Sequence, residues 1–256
     1  MLILGTDKTD TVLEHLPESY LLIDDGPVID AVTFPKRRKV THLDFSTHAL
    51  NPLKGMSYQK ARQFIAILDA IFPEGADTLT KKTANFIILK ALLRHRKKLD
   101  TLIWLPEKPT SGQYDAYQKI ETLLLSPLLK HFLTSPTERF SVRGIVIARL
   151  DRATLGDFDC FVLGNLLAAN YPKTVVMTDF GFYATPPHIQ LMRQQRLIAG
   201  LSFLDEVPTK IRQQLLLMPT KLARRCTFDD AEILAGYAGL AKGTVAESDF
   251  IAAAIK

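Results

Sequence analysis

Only two of the 256 residues are cysteine, Cys160 and Cys226, far apart and without partners at metal-ligand spacing. They read as buried thiols in a reducing compartment rather than as a disulfide framework. The six histidines are scattered, with no His-Glu-x-x-His pair to hold zinc. No Gly-x-Ser-x-Gly elbow is present, so the chain lacks the nucleophile turn of an α/β-hydrolase. Nor is there an apolar run of about 18 residues, which excludes a spanning helix. Met1-Leu-Ile-Leu-Gly5 has neither the basic start nor the long apolar centre of a signal peptide, so a cytoplasmic protein is expected.

What is present is ordinary globular material. The chain is 47% hydrophobic and 23% charged, with a net charge of +5. A chain of this length can bury one large core, or a core plus a subdomain. The mild basicity permits anionic partners without requiring them.

The stretch from Lys173 to Tyr183 draws attention first. It is a short β-branched run that ends on Asp179 and Gly181. That is the pattern of a buried strand delivering a carboxylate to the carboxyl edge of a sheet, where open α/β sheets bind ligands. Read without its neighbours, it is a core strand whose Asp179 caps the next turn.

Upstream, Leu2-Ile-Leu-Gly5 with Thr6, Lys8 and Thr9 has the layout of strand, glycine turn and helix beginning near Val12. It does not satisfy the phosphate-loop pattern Gly-x-x-x-x-Gly-Lys-Ser/Thr. Ser19–Asp24 and Val40–Phe45 read as strands. Between them lies the basic run Lys36, Arg37, Arg38 and Lys39. Helices are expected over 57–72, 80–98 and 114–133, the last broken at Pro127. Arg94, Arg96, Lys97 and Lys98 close the second of these, where cations suit the helix dipole. Trp104 reads as core.

From residue 140 onwards strands and helices alternate, which argues for a mainly parallel sheet covered on both faces. Strands are expected at 140–151, 174–179, 197–203 and 215–218. Helices are expected at 158–170, capped near Asp157, and at 187–196, 204–214, 227–238 and 247–255, with a loop over 181–187. The core is thus assigned to 1–56 and 137–256, and a mainly helical insertion to 57–136.

In their order these pieces resemble the FtsK/HerA class of P-loop ATPases, and within it the conjugative coupling proteins and DNA pumps of the VirD4/TraG type. The resemblance rests on Leu21–Asp24 through Asp44 to Asn51-Pro52-Leu53, on Gly144–Leu150 to Leu155-Gly156-Asp157, and on Val175–Asp179. It implies a RecA-like α/β fold, a three-layer, mostly parallel sheet with a helical insertion. It also implies a Walker B role for Asp179 as metal-holding and catalytic residue, a phosphate-loop place for Gly5, Lys8 and Thr9, and a sensor place for Ser202. ATP and Mg²⁺ are the implied cofactors, and DNA or an active motor, secretion or packaging complex the implied partner, with homo-oligomers usual.

Two departures count against nucleotide binding and hydrolysis. The second glycine and the Gly-Lys-Ser/Thr of the loop are missing, and Phe180 stands where the family has a water-orienting Glu. The sequence therefore points to a degenerate ATPase acting as a scaffold or accessory subunit in DNA transfer, packaging or translocation. Two alternatives stand beside it. One is an active translocase with an atypical loop, with Asp24 and Asp151 as further ligands. The other is a DNA-binding adaptor using the two basic runs. His188 lies near the expected ligand edge as a minor candidate, and Asp205 and Glu206 read as a helix-terminal charge pair.

Overall fold

The computed structural model describes residues 1–6, 8–34, 38–49, 57–72, 77–95, 106–135, 144–223, 225–238 and 251–254. The chain divides into two compact units. One comprises Met1–His42, Ser141–Cys160 and Ala168–Lys256, the other Leu43–Phe140 and Phe161–Leu167.

The first unit is built on a sheet. Its strands are β1 (Leu2–Leu4), β2 (Tyr20–Asp24), β3 (Val40–His42), β4 (Ile145–Arg149), β5 (Thr174–Met177), β6 (Leu197–Leu201), β7 (Thr220–Ala223) and β8 (Ile251–Ala254). Their order is β3-β4-β2-β5-β6-β1-β7-β8. Every pairing from β3 to β7 is parallel, and β8 runs antiparallel to β7. Parallel strands are covered on both faces, so they read as unbroken apolar runs. Accordingly β1, β2 and β6 are buried at every position. Helices α1 (Lys8–Glu14) and α2 (Pro27–Ala31) place Val12 and Val28 in a cluster with Ile3, Tyr20, Leu22, Ile147 and Val176.

Parallel strands bring their carboxyl ends to one edge. Here those ends are Leu4-Gly5, Asp24-Asp25, Arg149 to Asp151, Thr178-Asp179 and Leu201-Ser202. Chain order reverses around β1. The β1–β2 connection passes over β6 and β5, and the β6–β7 connection passes over β1 the other way. Such a switch point is where open α/β sheets bind ligands.

The second unit holds α3 (Tyr58–Ile71), α4 (Thr78–His95), α5 (Ser111–Leu125) and α6 (Pro127–Thr134). Each start is chemically marked. Ser57 accepts from Lys60 N, and Asp77 accepts from Leu79 N and Thr80 N. Thr110 and Gln113 form a reciprocal capping box, and Ser126 accepts from Leu129 N with Pro127 behind it. Ala61, Phe64, Leu68, Ala84, Ile88 and Leu92 are buried at the helical spacing expected of them.

The remaining helices are α7 (Arg152–Leu155), α8 (Asp157–Asn170), α9 (Phe180–Tyr183), α10 (His188–Arg193), α11 (Thr209–Leu216) and α12 (Phe228–Ala238). Four expectations need correction. Leu215 and Leu216 end α11, and the strand comes later as β7, because Ile211 and Leu215 share the buried side of the helix. The loop after Asp179 begins with the single turn α9. The span 204–214 splits into a 3₁₀ turn at Leu204–Glu206 and α11, separated by Pro208. Ile251–Ala254 is a strand and not part of a terminal helix. Trp104 and Asn51-Pro52-Leu53 lie outside the described residues.

Candidate functional site

At the carboxyl edge the loop after β1 is short. Gly5 takes φ 117°, a region that favours glycine, and its N–H donates to Leu201 O at 2.9 Å. Helix α1 opens at Lys8, three residues later and four before the start expected at Val12. Lys8 and Thr9 are therefore helical residues and not part of an extended loop. The chain between β1 and α1 has no glycine other than Gly5.

The Lys8 side chain reaches across β6. Its Nζ donates to Ser202 Oγ at 3.1 Å and lies 3.7 Å from Asp179 Oδ1. On the other side of Asp179, an Arg152 Nη stands 3.3 Å from Oδ2 and 3.9 Å from Asp25 Oδ2. The guanidinium also lies 4.6 Å from the centre of the Phe182 ring, within cation–π range. Lys8, Asp179 and Ser202, named from the sequence, are thus brought together. Burial pushes the Asp25 carboxyl above its ordinary value, with Asp24 and Asp179 adding to the effect and Arg152 opposing it. Two cations and two carboxylates of the chain face one another here.

Asp24 belongs to a different arrangement. It is 1% exposed. Its Oδ2 accepts from Gly26 N, Val28 N and Ile29 N, each at 3.0 Å, while Thr178 Oγ1 donates to Oδ1. Four donors of its own chain thus engage this buried carboxylate, and Asp24 is a structural cap for α2. Asp151 caps α7 in the same manner, accepting from Ala153 N and Thr154 Oγ1. Both acids are engaged by their own chain, Asp24 in a buried cap and Asp151 in an exposed one.

Phe180 is fully buried and meets His188 edge to face at 5.2 Å. His188 is itself 2% exposed, and Thr185 N donates to its Nδ1. Burial lowers its pKa to about 4. It is a neutral core residue. Asp205 and Glu206, expected as helix-terminal acids, do open the 3₁₀ turn, and the Glu206 carboxylate accepts from Ser202 N and Phe203 N, both at 3.2 Å. A Cβ on Gly181 would stand 2.7 Å from Glu206 Cβ, which places that side chain beside the turn after Asp179. Asp205 pairs with Arg212.

Sequence reasoning missed Arg152, Asp25 and the capping role of Glu206. Arg152 does carry a signal, since it follows directly on the carboxyl end of a strand. Among the described residues, no three His, Cys, Asp or Glu side chains cluster as a metal site. Cys160 is buried, which pushes its thiol up to about 12. Of the basic runs, Arg38 pairs with Glu18, Lys39 O accepts from Ile145 N, and Arg94 is exposed on α4. Lys36, Arg37, Arg96, Lys97 and Lys98 lie outside the described residues.

No protein-family model and no curated protein sequence matches the chain. Solved structures do. VirB4 of Thermoanaerobacter pseudethanolicus is 16% identical over 100% of this chain and 88% of its own, with a TM-score of 0.58. The plasmid coupling protein TrwB in complex with the non-hydrolysable ATP analogue ADPNP is 12% identical over 100% and 85%, with a TM-score of 0.58. The unbound bacterial conjugative coupling protein TrwBdeltaN70 is 9% identical over 93% and 71%, with a TM-score of 0.57. At these identities the likeness is one of architecture: the chain has the RecA-like α/β fold of VirB4 and TrwB.

Proposed function

We propose that this chain is a RecA-like motor domain without nucleotide turnover, serving as a scaffold or accessory subunit in DNA transfer, packaging or translocation. The observation that carries this reading is the position of Asp179 between Lys8 and Arg152. In a working phosphoryl-transfer site a strand-end acid holds Mg²⁺, a loop lysine meets the phosphates, and a third group orients water. Bound Mg²⁺-nucleotide would supply the reactive phosphate.

The residues here fit that group poorly. The carboxylate suited to the metal already faces two cations of its own chain. The lysine is spent on that carboxylate and on Ser202. The residue after Asp179 is a buried phenyl ring, which cannot polarise water. Orienting and charge-stabilising groups are each worth orders of magnitude in rate, so their loss removes turnover while the sheet that carried them persists. TrwB has been solved with ADP and Mg²⁺. The present chain keeps that fold with a self-neutralised edge.

Isothermal titration of the purified chain with Mg²⁺-ATP tests the reading, with Lys8→Ala and Asp179→Ala beside it. The expected result is no saturable heat from the unsubstituted chain. Tight binding that both substitutions abolish would overturn the proposal and establish an atypical motor.

A further inference from the structure

The helical unit offers a surface that the nucleotide-edge reading does not use, and the inference from it stands independently. Helix α4 buries Ala84, Ile88 and Leu92 along one side. On the opposite side Leu79 is 74% exposed and Phe86 is 63% exposed. At ~100° per residue, Leu79 and Phe86 fall in the middle of an exposed arc of about 120°, joined there by Lys90. Lys82 and Arg94, also exposed, fall at its two margins. The sequence of α4 contains no acidic residue. Its Lys81 pairs with Asp69, whereas Lys82, Lys90 and Arg94 make no ion pair among the described residues.

Two bulky apolar side chains flanked by long cations form the arrangement of a helix that lies in a membrane interface. The apolar pair enters the headgroup boundary, while the lysines and arginine extend their charges to anionic lipid. A nucleic acid would use the cations and could stack on Phe86, but it gives Leu79 no role. Among the described residues no helix is long and apolar enough to cross a membrane, so the contact is peripheral. We infer that the exposed face of α4 docks the protein on an anionic lipid surface.

The test uses the full chain in sedimentation with vesicles of phosphatidylcholine alone and of phosphatidylcholine with phosphatidylserine. It is run at low salt and in high salt, which screens such contacts. The chain is expected to sediment with the phosphatidylserine vesicles at low salt and to release in high salt. Lys82→Glu with Lys90→Glu is expected to weaken this by roughly tenfold or more, and Leu79→Ser with Phe86→Ser by roughly tenfold. All four positions are exposed, and circular dichroism confirms that each variant keeps its fold. Three results would overturn the inference. One is no binding to phosphatidylserine vesicles at low salt, and another is unchanged binding by either variant. The third is retention of a single-stranded oligonucleotide through Lys82 and Lys90 while vesicles are ignored.

Discussion

Asp24 and Asp179 are both acids at the ends of neighbouring parallel strands, and their surroundings give them opposite fates. Asp24 is closed in by three backbone N–H groups and a hydroxyl, and Asp179 is left facing Lys8 and Arg152. The same division applies to His188, whose place near the ligand edge suggested a use that its burial denies. Its Nδ1 accepts an amide N–H and so must keep a lone pair, which only the neutral ring provides. Burial therefore holds its pKa near 4 in the folded chain, against an ordinary value of 6.5. Between those values the unfolded chain binds a proton that the folded chain refuses. The stabilisation is complete above pH 6.5 and is lost as pH falls towards 4, by on the order of 3 kcal/mol in total. Urea unfolding at several pH values should show stability falling through this window. A His188→Leu variant, less stable at neutral pH, should show a slope reduced by nearly one proton; an unchanged slope would mean that His188 does not titrate as its burial requires.

At the scale of elements, the helices of the helical unit were legible from apolar residues at regular spacing, but not all of their starts: the expected starts at 80 and 114 lie inside α4 and α5, which are capped at Asp77 and Thr110. The short pieces were less so. The run Leu215-Leu-Leu-Met218 has no period of its own, and an apolar run of that length fits a strand or a helix end equally. The turn α9 was hidden because a four-residue helix has no room for a periodic pattern. What no local pattern reveals is the polar contact that ties α3, α4 and α5 together. Lys119, with its side chain only 4% exposed, lies 3.1 Å from Asp115 and 3.5 Å from Asp69. Asp69 also accepts from Asn85 Nδ2 at 2.7 Å and faces Lys81. Removing one member of a buried ion group leaves its partner uncompensated, whereas replacing the whole group is often neutral. Lys119→Met should cost about 2 kcal/mol in chemical denaturation, less than a fully buried pair because both acids keep some solvent. Adding Asp69→Asn and Asp115→Asn should recover most of that loss. If the triple variant is less stable than the single one, the cluster is held by something other than charge balance.

Across the whole molecule, the alternation of strands and helices after residue 140 made a parallel sheet readable, because connections between parallel strands are short and follow one hand. The candidate site was only partly readable. Asp179 could be named from its strand, but Lys8 is far away in sequence and Arg152 follows a different strand, so their meeting depends on the strand order β4-β2-β5-β6-β1. That convergence gives a prediction in which the two readings differ in sign. A ligand present at a hundred times its dissociation constant stabilises the folded state by about 2.7 kcal/mol. In a chain of this size, that raises the melting temperature by several degrees, at roughly 2–4 °C per kcal/mol. A motor site would give such a rise with Mg²⁺-ATP and lose it in Asp179→Ala, since the metal would lose its ligand. A self-neutralised edge behaves in the opposite way. The unsubstituted chain should melt at the same temperature with and without millimolar Mg²⁺-ATP. Asp179→Ala should melt lower on its own, because Lys8 loses its carboxylate and Arg152 keeps only Asp25, and should then gain from polyphosphate whether or not Mg²⁺ is present. Thermal melts of the two proteins with ATP, with Mg²⁺-ATP and with tripolyphosphate measure this directly. A nucleotide-dependent rise confined to the unsubstituted chain would mean that the Lys8–Asp179–Arg152 cluster opens to admit Mg²⁺ and phosphate.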